Sequence, residues 1–114
     1  MANAFLSETD TAIGTTPATV YTCPAATEAT VIGLSIANIH TSQISVDVQL
    51  DASGRTSGGE DAVYLVKAAP VPAGGALVVV GGDQKIVLEP GDAIIVTSDT
   101  AASADVVLSH LDIT

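Results

Sequence analysis

A chain of 114 residues fits one domain, large enough to bury roughly two-thirds of its unfolded surface and too short for a second. Thirteen Asp and Glu stand against three Lys and Arg, a net charge of −10, and the scattered cations Arg55, Lys67 and Lys85 exclude the clustered positive charge that nucleic acid or an anionic membrane demands. Charged residues are only 14% of the chain against about 25% in ordinary soluble domains, so much of the surface is small and neutral and suited to cover by other subunits.

In chain order, Met1 to Pro17 mixes the apolar pair Phe5-Leu6 with polar and small residues. It reads as an N-terminal arm, either frayed or laid against a neighbour, or else packed as a terminal strand on its own domain of residues 18–114. No basic n-region or long apolar h-region opens the chain, so no signal peptide is expected, and no apolar run reaches the roughly 18 to 20 residues of a membrane span. Ala18 to Cys23 is a strand, followed by a turn at Pro24 to Glu28. Thr30 to Asn38 reads as a central strand, with Val31, Gly33 and Ser35 on one face and Ile32, Leu34 and Ile36 on the other. The small residues of the first face leave room for a close neighbour. His40 falls in the hairpin loop that follows, and Ile44 to Asp51 alternates cleanly, with Ile44, Val46, Val48 and Leu50 inward. Residues 52–61, ASGRTSGGED, form a Gly- and Ser-rich loop without an apolar anchor, expected to be either mobile or an interaction tip.

Ala62 to Thr97 holds four short apolar runs divided by three turns. Glu89-Pro90-Gly91-Asp92 predicts a type II reversal, with φ fixed by Pro90 and a positive φ supplied by Gly91. Gly81-Gly82-Asp83 and Pro72-Ala73-Gly74-Gly75 are expected to do the same job, giving a meander. Ala104 to Ile113 closes the sheet, Val107, Leu111 and Ile113 on one face and Val106 and Leu108 on the other. No helical period is sustained for ten positions. The expected fold is all-β: a single antiparallel β-sandwich of about eight strands, jelly-roll-like or immunoglobulin-like. With 3% aromatic residues, its core must be Val, Ile, Leu and Ala.

Little in the sequence points to chemistry. His40 and His110 lie seventy residues apart with no further ligand at zinc spacing, and Cys23 is the lone cysteine, so no metal or cofactor is expected. Both histidines are read as solvated loop or strand-surface side chains without an orienting partner, and Cys23 as a small buried hydrophobe at a strand end. No Gly-x-Ser-x-Gly elbow is present, and Glu60-Asp61, if in a strand, point to opposite faces. Asp51-Ala52-Ser53-Gly54-Arg55 places Arg55 where a calcium loop needs an oxygen ligand. Asp83, Asp92 and Asp99 sit at turns and are expected to bond local backbone. No catalytic residue is assigned, and the chain is expected not to be an enzyme. Phe5, Leu6, His40 and Arg55, from the arm and the two loops, are the candidate protein-interface residues.

The series Thr19-Val20-Tyr21-Thr22, Val31 to Asn38, Ile44 to Leu50, Tyr64-Leu65-Val66-Lys67, Ala69 to Gly74 and Lys85 to Asp92 resembles small all-β virion proteins of tailed bacteriophages. Capsid decoration (cement) proteins are the most similar of these. The resemblance implies a structural role on the outer capsid surface, with the major capsid protein or another virion protein as partner and a homotrimer as assembly. Neck, tail-tip or fibre-associated roles are alternatives within that group, and a cell-surface adhesion module is a remoter one. It carries over no site residues.

Overall fold

The computed structural model of the chain describes residues 2–55 and 61–114, and among them there is no helix. Among the described residues nine strands run in order: β1 (Asn3–Ile13), β2 (Ala18–Thr22), β3 (Glu28–Asn38), β4 (Ile44–Asp51), β5 (Ala62–Val71), β6 (Ala76–Val80), β7 (Ile86–Leu88), β8 (Ala93–Ser98) and β9 (Ala104–Ile113). One sheet has the order β1-β9-β3-β6, with β7 also on β3, and the other has β2-β8-β4-β5. Every ladder is antiparallel. The chain changes sheet at each step except β4 to β5 and β6 to β7, which is the winding of a jelly roll rather than of an immunoglobulin domain. The added strand is β1: the N-terminal segment is neither frayed nor detached, but lies along β9 from Asn3↔Ile113 to Asp10↔Val106.

The expected meander over residues 62–97 is corrected by this topology. Its strands pair with β3, β4 and β8's neighbour β2, never with one another. Pro72 to Gly75 and Glu89 to Asp92 are turns, closed by Gly75 N–H to Pro72 O at 2.9 Å and Asp92 N–H to Glu89 O at 3.0 Å. They carry the chain from one sheet to the other instead of folding a hairpin. Gly91 has the expected positive φ of 94°. Gly81-Gly82-Asp83 does not reverse the chain at all: β6 pairs Leu34 to Ala37 and β7 continues in the same direction along Ala29 to Val31. The two are one edge strand interrupted by a turn.

Between the sheets lies an aliphatic core, with Val31, Leu34 and Ile36 from β3 and Val106 and Leu108 from β9 facing Val46, Val48, Ile94 and Val96. Alternation in β4 and β9 matches the sequence pattern, but β3 departs from it. A bulge between Val31 and Gly33 puts Val31, not Ile32, on the core side with Leu34 and Ile36. Two other irregularities share one device. Ala12 and Ala68 adopt positive φ values of 54° and 52°, unusual for a residue with a Cβ. Each is held by an aspartate on the neighbouring strand: Asp105 accepts from Ala12 N–H at 3.1 Å, and Asp47 accepts from Ala68 N–H at 2.7 Å.

Candidate functional site

The outward face of the β1-β9-β3-β6/β7 sheet is unusual for a solvated one. Solvated sheet faces are normally polar. Here the register sets Phe5, Leu111, Thr30 and Val87 side by side across four strands. Four residues along, Thr9, Val107, Ser35 and Val78 form a second row. Phe5, Val78 and Val87 are exposed by 76%, 66% and 63%, and Val107 is also exposed. Between the rows lies a trough of Ser7, Ser109 and Gly33. Of the thirteen carboxylates, only Glu28 and Asp105 occupy outward register positions of these strands, at opposite ends. Beside the second row, Thr9, Ser35, Ala37 and Asp105 help line a shallow concavity of about 410 Å³.

Polar chemistry is gathered instead on the inner side of the same sheet, where β1 overlaps β2. His110 is fully buried, with Nδ1 2.6 Å from Asp112 Oδ1 and Nε2 2.9 Å from Glu8 Oε2. Both ring nitrogens are thus engaged by carboxylates, one from the neighbouring strand β1 and one from His110's own strand. Tyr21 donates its hydroxyl to Asp112, 2.9 Å from each carboxylate oxygen, and its ring lies 4.0 Å from the imidazole centroid. Burial first, then the hydrogen bond and the charge of Asp112, push the Tyr21 hydroxyl far above the usual phenol range. The expectation of a solvated His110 without a partner is therefore wrong. Its signal was present in the sequence as His110-x-Asp112, two residues apart and so on one strand face. The cluster ties the edge strand β1 to the sandwich. Among the described residues no group of three or more His, Cys, Asp and Glu is placed to hold a metal.

A second polar contact anchors the loop after β4. Arg55 donates from Nε to Asp92 Oδ1 at 2.9 Å and from a terminal nitrogen to Oδ2 at 2.8 Å, and it also meets Glu89 at 3.2 Å. Asp92 is fully buried and accepts from Glu89 N–H at 3.0 Å as well, as its turn position implied. Burial works to raise the Asp92 carboxyl, but the Arg55 and Glu89 hydrogen bonds and the guanidinium charge outweigh it and hold it below the usual range. Gly91 must be glycine here, since a Cβ would sit 2.1 Å from the Gly54 carbonyl oxygen. Ala52, buried, supplies the apolar anchor this loop was expected to lack. Residues 56–60 of the expected interaction tip lie outside the described residues.

The four candidate interface residues do not converge. Phe5 lies on the outward face just described, and Leu6, on the opposite side of β1, is also exposed. His40 is exposed in its loop, with its backbone N–H donated to Asn38 Oδ1 at 2.8 Å. Arg55 is engaged by Asp92 and Glu89. Cys23 is buried at the end of β2 as expected, and burial pushes its thiol up. Val78, Val87 and Val107 are the surface residues the sequence reading did not single out.

No family model matches the chain, and neither does any curated protein. Among solved structures it is similar to a chain from Bacillus endospore appendages, a family of disulfide-linked pili, with a TM-score of 0.56 at 15% sequence identity. The match covers 99% of this chain and 87% of that one. At that identity the likeness is one of fold. No helix among the described residues is long and apolar enough to cross a membrane.

Proposed function

We propose that this chain is a non-enzymatic structural subunit of a surface protein assembly, and that the assembly is a virion, with the chain decorating and stabilising the outer capsid shell. The observation that carries the structural reading is the charge-poor outward face of the β1-β9-β3-β6/β7 sheet, on which Phe5, Val78, Val87 and Val107 stand exposed, on a domain of net charge −10. Patches of this kind on a soluble domain mark contact with other protein. The resemblance of its strands and turns to small phage virion proteins supports the capsid location, and its acidity suits a position away from packaged DNA.

A subunit of a surface appendage is the second reading, favoured by the fold shared with the endospore appendage chain. A filament built from these 114 residues would be held by non-covalent contacts, because their one cysteine, Cys23, is buried. Quantitative mass spectrometry of purified particles separates the two. On the order of hundreds of copies per virion is the expected result, whereas about six or twelve would place the chain in a neck or tail ring. Absence from virions, together with filaments that an antibody to the chain decorates, would replace the capsid reading with the appendage one.

A further inference from the structure

We infer that the outward face of the β1-β9-β3-β6/β7 sheet docks a second copy of this chain, face to face; the inference rests on the structural-subunit reading and names the surface that reading requires. Charge argues for a second copy on this face. Two molecules of net charge −10 repel most weakly where carboxylates are fewest, and among the described residues the strands of this face carry them at outward positions only at its ends, at Glu28 and Asp105. Shape argues in the same direction. The Phe5-Leu111-Thr30-Val87 row and the Thr9-Val107-Ser35-Val78 row stand as ridges on either side of the Ser7-Ser109-Gly33 trough. A two-fold axis lying in the interface and running across the strands, between the trough and the Val107 ridge, brings each copy's Val107 ridge opposite the other's trough. That pairing is self-complementary, as an isologous contact must be. It also keeps the strands of the two sheets nearly aligned, as packed sheets prefer.

Size sets the strength. Nine residues of β9 and four strands span about 27 by 19 Å, or about 500 Å² in projection, against about 800 Å² of accessible surface per partner in a standard interface. The contact is therefore a weak one, with a dissociation constant between roughly 1 µM and 1 mM, completed by other contacts in the full assembly. Its symmetry is two-fold, so a trimer would have to be built through a different surface.

Sedimentation equilibrium of the purified chain up to about 1 mM tests this directly. The wild-type mass is expected to rise with concentration toward that of a dimer. Val107→Asp places a carboxylate on the central ridge, and Gly33→Arg fills the trough. The nearest heavy atoms to a Cβ at Gly33 are 3.9 and 4.0 Å away, so that substitution has room in the monomer. Both variants are expected to weaken association at least about tenfold with an unchanged thermal melt. Val78→Asp, on the exposed edge strand, serves if either melts early. Tyr64→Asp, on the outer face of the other sheet, is expected to associate as the wild type does. Association lost in Tyr64→Asp but kept in the other three overturns the inference and leaves the structural-subunit reading standing. A wild-type chain that stays monomeric throughout also overturns the inference, and its copy number in purified particles then judges the structural reading separately.

Discussion

Asp92 shows how one residue can hold three parts of the chain. Its side chain takes both prongs of Arg55 and the Glu89 N–H, while its own backbone carbonyl accepts from Cys23 N–H at 2.8 Å. The β4–β5 loop, the β7–β8 turn and the end of β2 thus meet at one buried carboxylate. Because its folded-state value is held below the unfolded one, the stabilisation is fully present above the ordinary carboxylate range near pH 4 and is lost as the pH falls through the lower folded value. Asp51, half-buried and drawn down by the Ser53 hydroxyl and N–H, and Asp99, exposed and drawn down by the Ser45 N–H and the Thr100 hydroxyl, titrate in the same direction and add little. Asp92→Asn should lower stability at pH 7 by about 3 kcal/mol, since it removes the buried carboxylate that takes both prongs of Arg55. It should also flatten the loss of stability between roughly pH 5 and pH 2. Urea unfolding of wild type and variant at pH 3 and pH 7 measures both. An unchanged gap between the two proteins at the two pH values would mean that Asp92 does not carry the acid limb.

At the scale of elements, β1 is the strand whose attachment most needs explaining, because Phe5 and Leu6 are exposed and apolar burial holds it only weakly. Its ladder to β9 supplies the backbone bonds, and the Glu8–His110–Asp112–Tyr21 cluster supplies the side-chain tie. The members of that tie differ in burial, and so will their substitutions. His110→Ala removes the buried partner of Asp112, leaves it the Tyr21 hydroxyl and opens a cavity, and should cost about 3–5 kcal/mol, whereas Glu8→Gln, at the half-exposed end, should cost about 1 kcal/mol or less. Equal losses in denaturant unfolding would show that the two ends of the cluster are equally buried in solution. The His110-x-Asp112 spacing was visible in the sequence, but the partner Glu8 lies a hundred residues away, and only the closing of β1 on β9 brings it in. The same limit hid the docking face. In strands such as Ala76 to Val80 both faces are apolar, so alternation cannot say which one is the core. Where one face is polar, as in Ile44 to Asp51, alternation places every residue correctly. Gly33 and Ser35 were legible as a small face suited to a close neighbour. The bulge at Ile32 was not, because nothing in an apolar run marks an inserted residue.

The whole molecule is wound so that its first and last strands pair, β1 at the edge of the sheet and β9 beside it. β9 closes between β1 and β3, pairing residues 106–113 with 3–10 and 104–113 with 28–38. Only β4 and β5 pair as sequence neighbours. Contacts of such long sequence separation must be reached against loop-closure entropy, which slows folding into the range of milliseconds to seconds. The β4–β5 hairpin is the one ladder that can form early, and β9 is the strand that must wait for both its neighbours. Val48 in β4 and Leu108 in β9 are both fully buried, so they probe the two ends of that order. Truncation to Ala should destabilise by about 1–3 kcal/mol for Val48 and about 2–5 kcal/mol for Leu108. Their kinetic signatures should differ, with Val48→Ala lowering the refolding rate and Leu108→Ala acting mainly by raising the unfolding rate. Stopped-flow chevrons for the two variants measure the partition. A refolding arm slowed by Leu108→Ala in full proportion to its loss of stability would place β9 in the nucleus, and the sandwich would then assemble from its closing strand outward.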